Sequence, residues 1–247
     1  MESRGATIPT RSRPQIVVPP DLPIIITIDG PAGTGKSSVA RALASRLGLD
    51  FLDTGAMYRA AAAIVLDHAI PQDNHQAIVE KVRSADLHFD WSMDPPAMLA
   101  WDRPINGRIR EPDVTAIVSP ISAIPDLRTH MVQKQRIIWH QHPRLVSEGR
   151  DQGSVVFPDA AVKFYLDADP AERARRRADQ LRAAGLPADE AGLLRDIVER
   201  DRSDSTRPVG PLVCPPDAVR VDTTRLSFEE VVDRLEDEVR ARIATLL

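Results

Sequence analysis

Short β-branched runs alternate along this chain with longer stretches in which apolar residues have helical spacing. The run Ile24–Ile28 predicts a strand buried on both faces, as in a parallel sheet. Four more short apolar runs predict strands at Phe51–Leu52, Leu145–Val146, Val162–Leu166 and Val219–Val221. Because helical stretches separate these runs, the pattern predicts an α/β fold with a five-stranded parallel sheet.

Two of the helical stretches are well defined. Val39, Leu43 and Leu47 have helical spacing directly after the first predicted strand, and Gly48 is placed to end that helix. Apolar residues also recur at helical spacing from residue 228 to residue 246. We expect this last stripe to pack on the core rather than to bind a partner.

Two segments depart from the alternation. Residues 1–22 are rich in Pro, Ser, Thr and Arg without periodicity, which predicts a disordered tail and leaves 23–247 as a single domain. Residues 85–112 combine alternating polar and apolar positions with the turn signals Pro95-Pro96 and Asn106-Gly107. This combination predicts a small β-rich insertion outside the central sheet.

Composition narrows the class of protein. Hydrophobic residues at 43% and charged residues at 28% are ordinary for a soluble globular protein. Long apolar runs are absent, so we expect no membrane association, and a net charge of −4 argues against nucleic-acid binding. The single cysteine, Cys214, cannot form an internal disulfide, and residues 1–20 have no secretory signal. Both observations predict a cytoplasmic protein.

The strongest chemical signal is the glycine-rich turn between the first strand and its helix. The sequence GPAGTGKS matches the G-x-x-x-x-G-K-S pattern of a phosphate-binding loop, or P-loop. Its backbone N–H groups and the following helix N-terminus bind phosphates, while the lysine reaches the β- and γ-phosphates and the serine hydroxyl ligates Mg²⁺. The predicted ATP-binding residues here are Gly30, Pro31, Ala32, Gly33, Thr34, Gly35, Lys36, Ser37 and Ser38, with Ser37 as the ligand of Mg²⁺.

A P-loop alone does not distinguish kinases from other nucleotide-binding proteins. The guanine-reading motif N-K-x-D is absent because Asn74 and Asn106 are followed by His and Gly, which disfavours a GTPase. Arginines follow the second and third predicted strands, at Arg59 and Arg150, and more arginines occur in 200–207. Because ligands bind at the carboxyl ends of parallel strands, these arginines predict a second anionic substrate facing the P-loop.

Six motifs in order, GPAGTGKS, DTGAMYR, EGRDQGSVVFPDA, ERARRR, ERDRSDSTR and PLVCPPDAVRVDTT, resemble those of bacterial cytidylate kinases across residues 23–247. The resemblance implies a three-layer P-loop fold with a nucleoside-monophosphate (NMP)-binding insertion at about 56–128 and a short lid at about 178–200. It also implies a monomer that transfers the γ-phosphoryl group of ATP, with Mg²⁺, to CMP or dCMP.

The resemblance also assigns roles on the acceptor side, where Thr54 follows the second strand. Three arginines match those around the CMP phosphate: Arg59, Arg150 and Arg207. Two residues match those near the ribose: Arg200 and Asp204. Three match the cytosine-reading group: Ser119, Arg128 and Asp151.

The cytosine assignment has a chemical basis. Cytosine presents an N4 donor beside N3 and O2 acceptors, which suit a carboxylate and a guanidinium. Uracil presents O4 and N3–H instead, a mismatch of about 1–3 kcal/mol for each buried unpaired group.

This sequence departs from the usual family pattern at Gln152, where an aliphatic residue is usual, and at Ser154 and Glu111, where Thr is common.

The basic run at residues 172–177 has two interpretations. It could be a solvated helix face, or, as the resemblance implies, Arg173 and Arg177 could contact the ATP phosphates at the entrance to the lid. The implied catalytic residues are Lys36, Arg150, Arg207 and Arg177. Two alternatives stay open: a P-loop kinase for another small acceptor, and a P-loop ATPase that hydrolyses its nucleotide.

Overall fold

The computed structural model describes residues 18–245. The strands in this part of the chain are β1 (Ile24–Asp29), β2 (Asp50–Asp53), β3 (His88–Asp90), β4 (Ala97–Ala100), β5 (Arg103–Pro104), β6 (Arg144–Gly149), β7 (Val162–Asp167) and β8 (Val219–Asp222). The α-helices are α1 (Lys36–Leu47), α2 (Thr54–Asp67), α3 (His75–Ser84), α4 (Pro112–Ser122), α5 (Pro125–Gln141), α6 (Pro170–Ala183), α7 (Glu190–Thr206) and α8 (Phe228–Ala244).

The five predicted strands form one parallel sheet in the order β2-β6-β1-β7-β8, which confirms the α/β prediction. In this order β1 is central, and its register pairs Asp29 with Gly149 of β6. Asp53 of β2 pairs with Glu148 of β6. The carboxyl ends of β1, β2 and β6 are therefore level, so the loops that follow them meet at one edge of the sheet.

Helices cover both faces of the sheet. Alternate residues of β1 point to opposite faces: Ile24, Ile26 and Ile28 pack in a core with residues of α1 and α8. Ile25 packs instead in a second core with residues of α2, α3, α4 and α5. All four isoleucines are buried, which explains why the run is continuously apolar rather than alternating.

The two helices predicted from apolar spacing are confirmed. α1 ends at Leu47, and Gly48 takes the left-handed conformation with φ 64°. α8 begins at a capping box formed by Ser227 and Glu230 and continues to Ala244, whereas the predicted last residue, 246, lies outside the described part of the chain. Within residues 18–245, no helix is both long and apolar enough to cross a membrane.

The β-rich insertion is a separate antiparallel sheet in the order β3-β4-β5. This sheet also contacts the rest of the protein. The Arg41 guanidinium of α1 lies 3.2 Å from the carboxylate of Asp94, which follows β3. Trp91 stacks on His142 with 3.9 Å between ring centroids.

Residues 178–200 form the outer part of a helical hairpin built from α6 and α7. The turn between the two helices spans 184–189, and Gly185 has a φ of 72°. α6 and α7 pack against each other along the hairpin. Its movement as a lid, and the nucleotide-binding role of residues 56–128, stay predictions.

The predicted tail, residues 1–22, includes a segment that packs on the folded domain. Its residues 1–17 lie outside the described part of the chain, but residues 18–22 make defined contacts. Val18 is fully buried in the core on the α1 side of the sheet. The Arg144 guanidinium donates to the carbonyl oxygens of Val18, Pro19 and Leu22. These contacts place residues 18–22 in the folded part of the chain, although this segment has no periodic pattern.

Candidate active site

The P-loop connects β1 to α1 and depends on glycine at its first position. Gly30 has a φ of 146°, and a Cβ atom there would overlap the backbone carbonyl oxygen of Leu166 in β7. Gly35, with a φ of 87°, is the residue that caps α1. Both positions have backbone conformations that side-chain-bearing residues rarely adopt. The loop therefore packs directly against the neighbouring strand and presents its N–H groups at the start of α1.

Gly30→Ala is expected to destabilise the protein by about 2–4 kcal/mol, because strand β7 cannot move away from the added methyl group without disturbing the sheet. Thermal unfolding followed by circular dichroism measures this change. Gly107→Ala is the matched control, since a Cβ there meets nothing within 4 Å. Equal melting temperatures for the two variants would contradict the assigned packing.

Lys36 is buried in the P-loop. Its Nζ donates to the carbonyl oxygen of Pro31 at 2.6 Å and lies 3.4 Å from the hydroxyl of Thr34. Burial, and then the charge of Arg150, lower the pKa of Lys36 to about 7. A cation held in such a place is stabilised by an anionic ligand, as expected for a phosphate-binding lysine.

A carboxylate that the sequence reasoning did not single out lies beside the P-loop serine. The Ser37 hydroxyl donates to Glu148 Oε1 at 2.8 Å. Burial, and then the neighbouring carboxylate of Asp53, raise the pKa of Glu148 well above its ordinary value. Two carboxylates and a hydroxyl are the hard oxygen ligands that Mg²⁺ prefers, and a divalent cation would relieve their repulsion. The residues present therefore fit a magnesium ion bound together with ATP.

Glu148→Gln is expected to stabilise the folded protein at pH 8. The pKa of Glu148 is higher in the folded than in the unfolded protein. Its contribution to the free energy of unfolding is therefore fully present below the unfolded pKa and is lost as the pH rises through the folded pKa. Glutamine does not titrate, so the variant gains about 1 kcal/mol, or about 2–4 °C in Tm, at pH 8 and little at pH 4.5.

Melting curves at both pH values measure this difference. Glu172→Gln is the opposite-sign control, because Arg175 and Arg176 lower the pKa of Glu172. If the Glu148→Gln variant is less stable than the wild type at pH 8, burial beside the carboxylate of Asp53 does not destabilise ionised Glu148, which contradicts this account.

A pocket opens next to the P-loop at the carboxyl ends of β2 and β6. It brings together seven of the predicted acceptor residues: Thr54, Arg128, Arg150, Asp151, Arg200, Asp204 and Arg207. Its lining also includes residues that the sequence reasoning did not assign: Gly55, Tyr58, Val118, Ser122, Glu148 and Gly149. The Thr54 hydroxyl donates to the carbonyl oxygen of Glu148 at 2.7 Å, which joins the ends of the two strands.

One end of this pocket is strongly positive. Arg150 Nε donates to Asp204 Oδ2 at 2.8 Å, and Arg207 lies 3.7 Å from the same carboxylate. Burial, and then Arg150, lower the pKa of Arg200 to about 10. Buried nitrogens of Arg200 and Arg207 (Nε and Nη2) have no hydrogen-bond partner among residues 18–245. Three guanidinium groups with one carboxylate and unused donors form a site suited to a phosphate group.

The other end of the pocket holds a buried ion pair. Arg128 and Asp151 are 2% and 3% exposed, and the Arg128 guanidinium donates to the Asp151 carboxylate. Arg128 Nη1 also donates to the carbonyl oxygen of Ser122 at 3.0 Å, and its guanidinium lies 5.2 Å from the centre of the Tyr58 ring. Such a pair presents fixed donors and acceptors to a planar polar ligand.

Two predicted acceptor residues do not line this pocket. Arg59 Nη1 donates to the Thr115 hydroxyl at 2.8 Å, and burial lowers the pKa of Arg59. The Ser119 hydroxyl lies 3.4 Å from that of Ser203, between α4 and α7. Their contacts with the acceptor stay predictions.

The two predicted lid arginines differ in their surroundings. Arg173 is 2% exposed and donates to the carbonyl oxygens of Ala168 and Ala32 and to the carboxylate of Asp201. The bond to Ala32 holds the P-loop backbone, so Arg173 supports the loop that binds phosphate. Arg177 is exposed and lies 3.3 Å from the side chain of Gln180. The ATP contacts of both arginines stay predictions.

Comparison with known proteins agrees with this arrangement. Residues 26–241 match the sequence family described as cytidylate kinase. A cytidylate kinase of Azotobacter vinelandii is 41% identical over 222 residues, which are 89% of this chain and 96% of that protein. One from Mycolicibacterium paratuberculosis is 43% identical over 219 residues, again 89% of this chain and 96% of the relative.

Among solved structures, a gluconokinase from Sinorhizobium meliloti is 18% identical with a TM-score of 0.46, over 91% of this chain and 93% of that one, which is too remote to add to the assignment. The sequence match, by contrast, includes the P-loop and every predicted residue of the acceptor pocket. This chain belongs to the cytidylate kinase family.

Proposed function

We propose that this protein transfers the γ-phosphoryl group of ATP to CMP or dCMP, giving ADP and CDP or dCDP. The carrying observation is the presence of two anion-binding sites side by side at one edge of the sheet. Lys36 marks the donor site, and the arginines of the acceptor pocket mark the other. Glu148, Gly149 and Arg150 are consecutive, so the end of β6 joins the two sites directly. A protein that only hydrolyses ATP has no need of the second site.

Catalysis in such a site consists of alignment and neutralisation of charge. The attacking oxygen belongs to a phosphate that is already ionised at neutral pH, so no strong general base is required. Lys36 stabilises the charge on the transferred group, while Arg150 and Arg207 hold the acceptor phosphate in line. Ser37, together with Glu148 and Asp53, would hold a Mg²⁺ ion, which would supply further positive charge to the ATP phosphates.

The buried Arg128–Asp151 pair supports cytosine as the acceptor base. The carboxylate accepts from the N4 amino group of cytosine, and the guanidinium donates to N3 or O2. Asp204 beside Arg200 suits the ribose hydroxyls, as the family resemblance implies. Arg59 and Ser119 complete the proposed acceptor site if the α2–α4 region closes over the nucleotide.

The proposal also includes closure of two segments over the substrates and the compartment in which the protein works. Residues 56–128 act as the NMP-binding insertion and residues 178–200 as a lid that brings Arg173 and Arg177 toward ATP and excludes water. We place the reaction in the cytoplasm and assign it to a monomer that binds neither nucleic acid nor membrane. The reduced, exposed Cys214 fits such a compartment.

A coupled assay of ADP release tests the proposal against both alternatives. Turnover is measured with ATP and Mg²⁺ in the presence of CMP, dCMP, UMP, AMP or no acceptor. We expect rapid release with CMP or dCMP and only background release without an acceptor. Equal release in all five reactions would identify an ATPase, and release with UMP or AMP alone would identify a kinase with a different acceptor.

A further inference from the structure

Asp29, the last residue of β1, is a buried carboxylate with no part in the proposed transfer step. It is 1% exposed and directly precedes the P-loop glycine Gly30. Its Oδ1 accepts from the backbone N–H of Gln152 at 2.8 Å, and its Oδ2 accepts from that of Gly153 at 2.7 Å. Both carboxylate oxygens are therefore bound to the segment that follows β6, the strand next to β1. Hydrogen bonds to a charged group, with water excluded, hold that segment firmly against β1.

The segment that Asp29 holds is a single π-helical turn, Gln152–Val156, whose N-cap residue is Asp151. The first N–H groups of a helix have no acceptor within the helix, and an aspartate at the N-cap commonly accepts from them with its own side chain. In the described part of the chain, the Asp151 side chain makes no bond of this kind. The carboxylate of Asp29 accepts from the first two N–H groups of the turn in its place.

The carboxylate of Asp151 is therefore available to the acceptor pocket. It accepts from the guanidinium of Arg128, and both residues line the pocket. A side chain that turned back to cap its own helix would give up this position. Asp29 thus caps the turn, while Asp151 presents its carboxylate to the ligand.

Removal of the Asp29 carboxylate would leave two buried N–H groups, those of Gln152 and Gly153, without an acceptor. Asp151 directly precedes them, and its carboxylate is able to accept from them. Turning toward them would leave the buried guanidinium of Arg128 without its partner. Whether the carboxylate turns or the whole helical turn shifts, the group that faces the base moves.

We propose that Asp29 is a positioning residue for the acceptor base: it caps the π-helical turn in place of Asp151 and so leaves the Asp151 carboxylate beside Arg128 to read cytosine. This inference rests on the proposed function, because it concerns how CMP is distinguished from UMP. It gives a residue at the start of the P-loop an effect on the acceptor base.

Asp29→Asn tests the proposal, because the amide keeps the shape of the side chain but has one acceptor oxygen instead of two. Burial raises the pKa of Asp29 to about 6, so an uncharged side chain of the same size is tolerated there. We expect the KM for CMP to rise about tenfold and the CMP-to-UMP ratio of kcat/KM to fall about tenfold. This ratio does not respond to a changed charge near Lys36, because Lys36 acts equally on transfer to either acceptor.

Two control variants separate positioning from stability. Asp21→Asn removes an exposed aspartate that precedes the same strand and should keep the wild-type ratio. Val239→Ala shortens a fully buried side chain of α8, in the core on the α1 side of the sheet. It should lower the melting temperature and also keep the wild-type ratio. Asp29→Ser, which is smaller and keeps a single acceptor oxygen, serves if Asp29→Asn does not fold.

The double variant Asp29→Asn, Asp151→Asn shows whether Asp29 acts through Asp151. We expect its KM for CMP to lie within about twofold of that of Asp151→Asn alone, because the carboxylate that Asp29 positions is already absent. A further tenfold rise, or a wild-type CMP-to-UMP ratio in Asp29→Asn, would overturn the positioning role alone. A wild-type protein without CMP-dependent turnover would instead reject the proposed function, and the positioning role with it.

Discussion

Lys36→Met is expected to lower phosphoryl transfer by at least about 10³-fold with every acceptor, because a charge that acts on the transferred phosphoryl group is lost. Methionine has a similar length and no charge. Since burial already lowers the pKa of Lys36 to about 7, an uncharged side chain fits its surroundings and folding is preserved. The defect therefore concerns kcat rather than the amount of folded protein.

Initial rates with saturating ATP and CMP, together with a melting curve for each protein, measure this effect. Lys81→Met is the control, because Lys81 lies over the exposed ring of Trp101 and outside both substrate sites. Retention of more than about a tenth of wild-type activity in Lys36→Met would contradict the role of Lys36 at the transferred phosphoryl group.

Asp151→Asn is expected to reduce kcat/KM for CMP by about 10²-fold and to remove most of the preference over UMP. Asparagine preserves the shape of the side chain but leaves the buried charge of Arg128 uncompensated, which destabilises the protein by about 3 kcal/mol. ATP binding involves other residues, so the KM for ATP should change little.

Steady-state kinetics with CMP and UMP, and thermal unfolding, test both parts of this prediction. Asp159→Asn is a suitable control, since Asp159 is exposed eight residues further along the chain. An equal loss of activity with CMP and with UMP would show that Asp151 supports the pocket without reading the base.

Much of the fold follows from local pattern. The isoleucine run of β1 is buried on both sides, so its apolar character identifies a central strand without further information. Gly48 ends α1 as its conformational freedom suggests. The predicted end of the tail at residue 22 is wrong, because Val18 is buried and its carbonyl oxygen accepts from the distant Arg144. A local sequence pattern does not indicate such a contact.

The residues of the candidate site likewise include some that a local motif identifies and others that depend on distant contacts. Lys36 and Ser37 are identified by a contiguous motif, because the P-loop binds phosphate through consecutive residues. The sequence did not identify Glu148 and Tyr58 as site residues, because their roles depend on residues remote in sequence. Glu148 accepts a hydrogen bond from Ser37, 111 positions away, and the Tyr58 ring lies beside the Arg128 guanidinium. The signal that could have identified Glu148 is a carboxylate at the end of a central strand, next to Gly149.

Arg173 illustrates a different limit. The basic run and the resemblance direct attention to its charge, whereas the structure shows all three of its nitrogens bonded within the protein, two of them to backbone carbonyls. Whether a charged side chain serves the ligand or the loop that holds the ligand depends on the packing of α6 against the P-loop. A sequence pattern does not specify that packing.

The preference that we propose for this protein is for a cytidine nucleotide as acceptor over UMP. Limiting ATP with Mg²⁺ and an equimolar mixture of CMP and UMP tests it most directly, with the diphosphate products separated and identified by mass. We predict at least about ten times more CDP than UDP, as one buried mismatched group would produce. Equal amounts of the two products, or release of ADP without either, would contradict it.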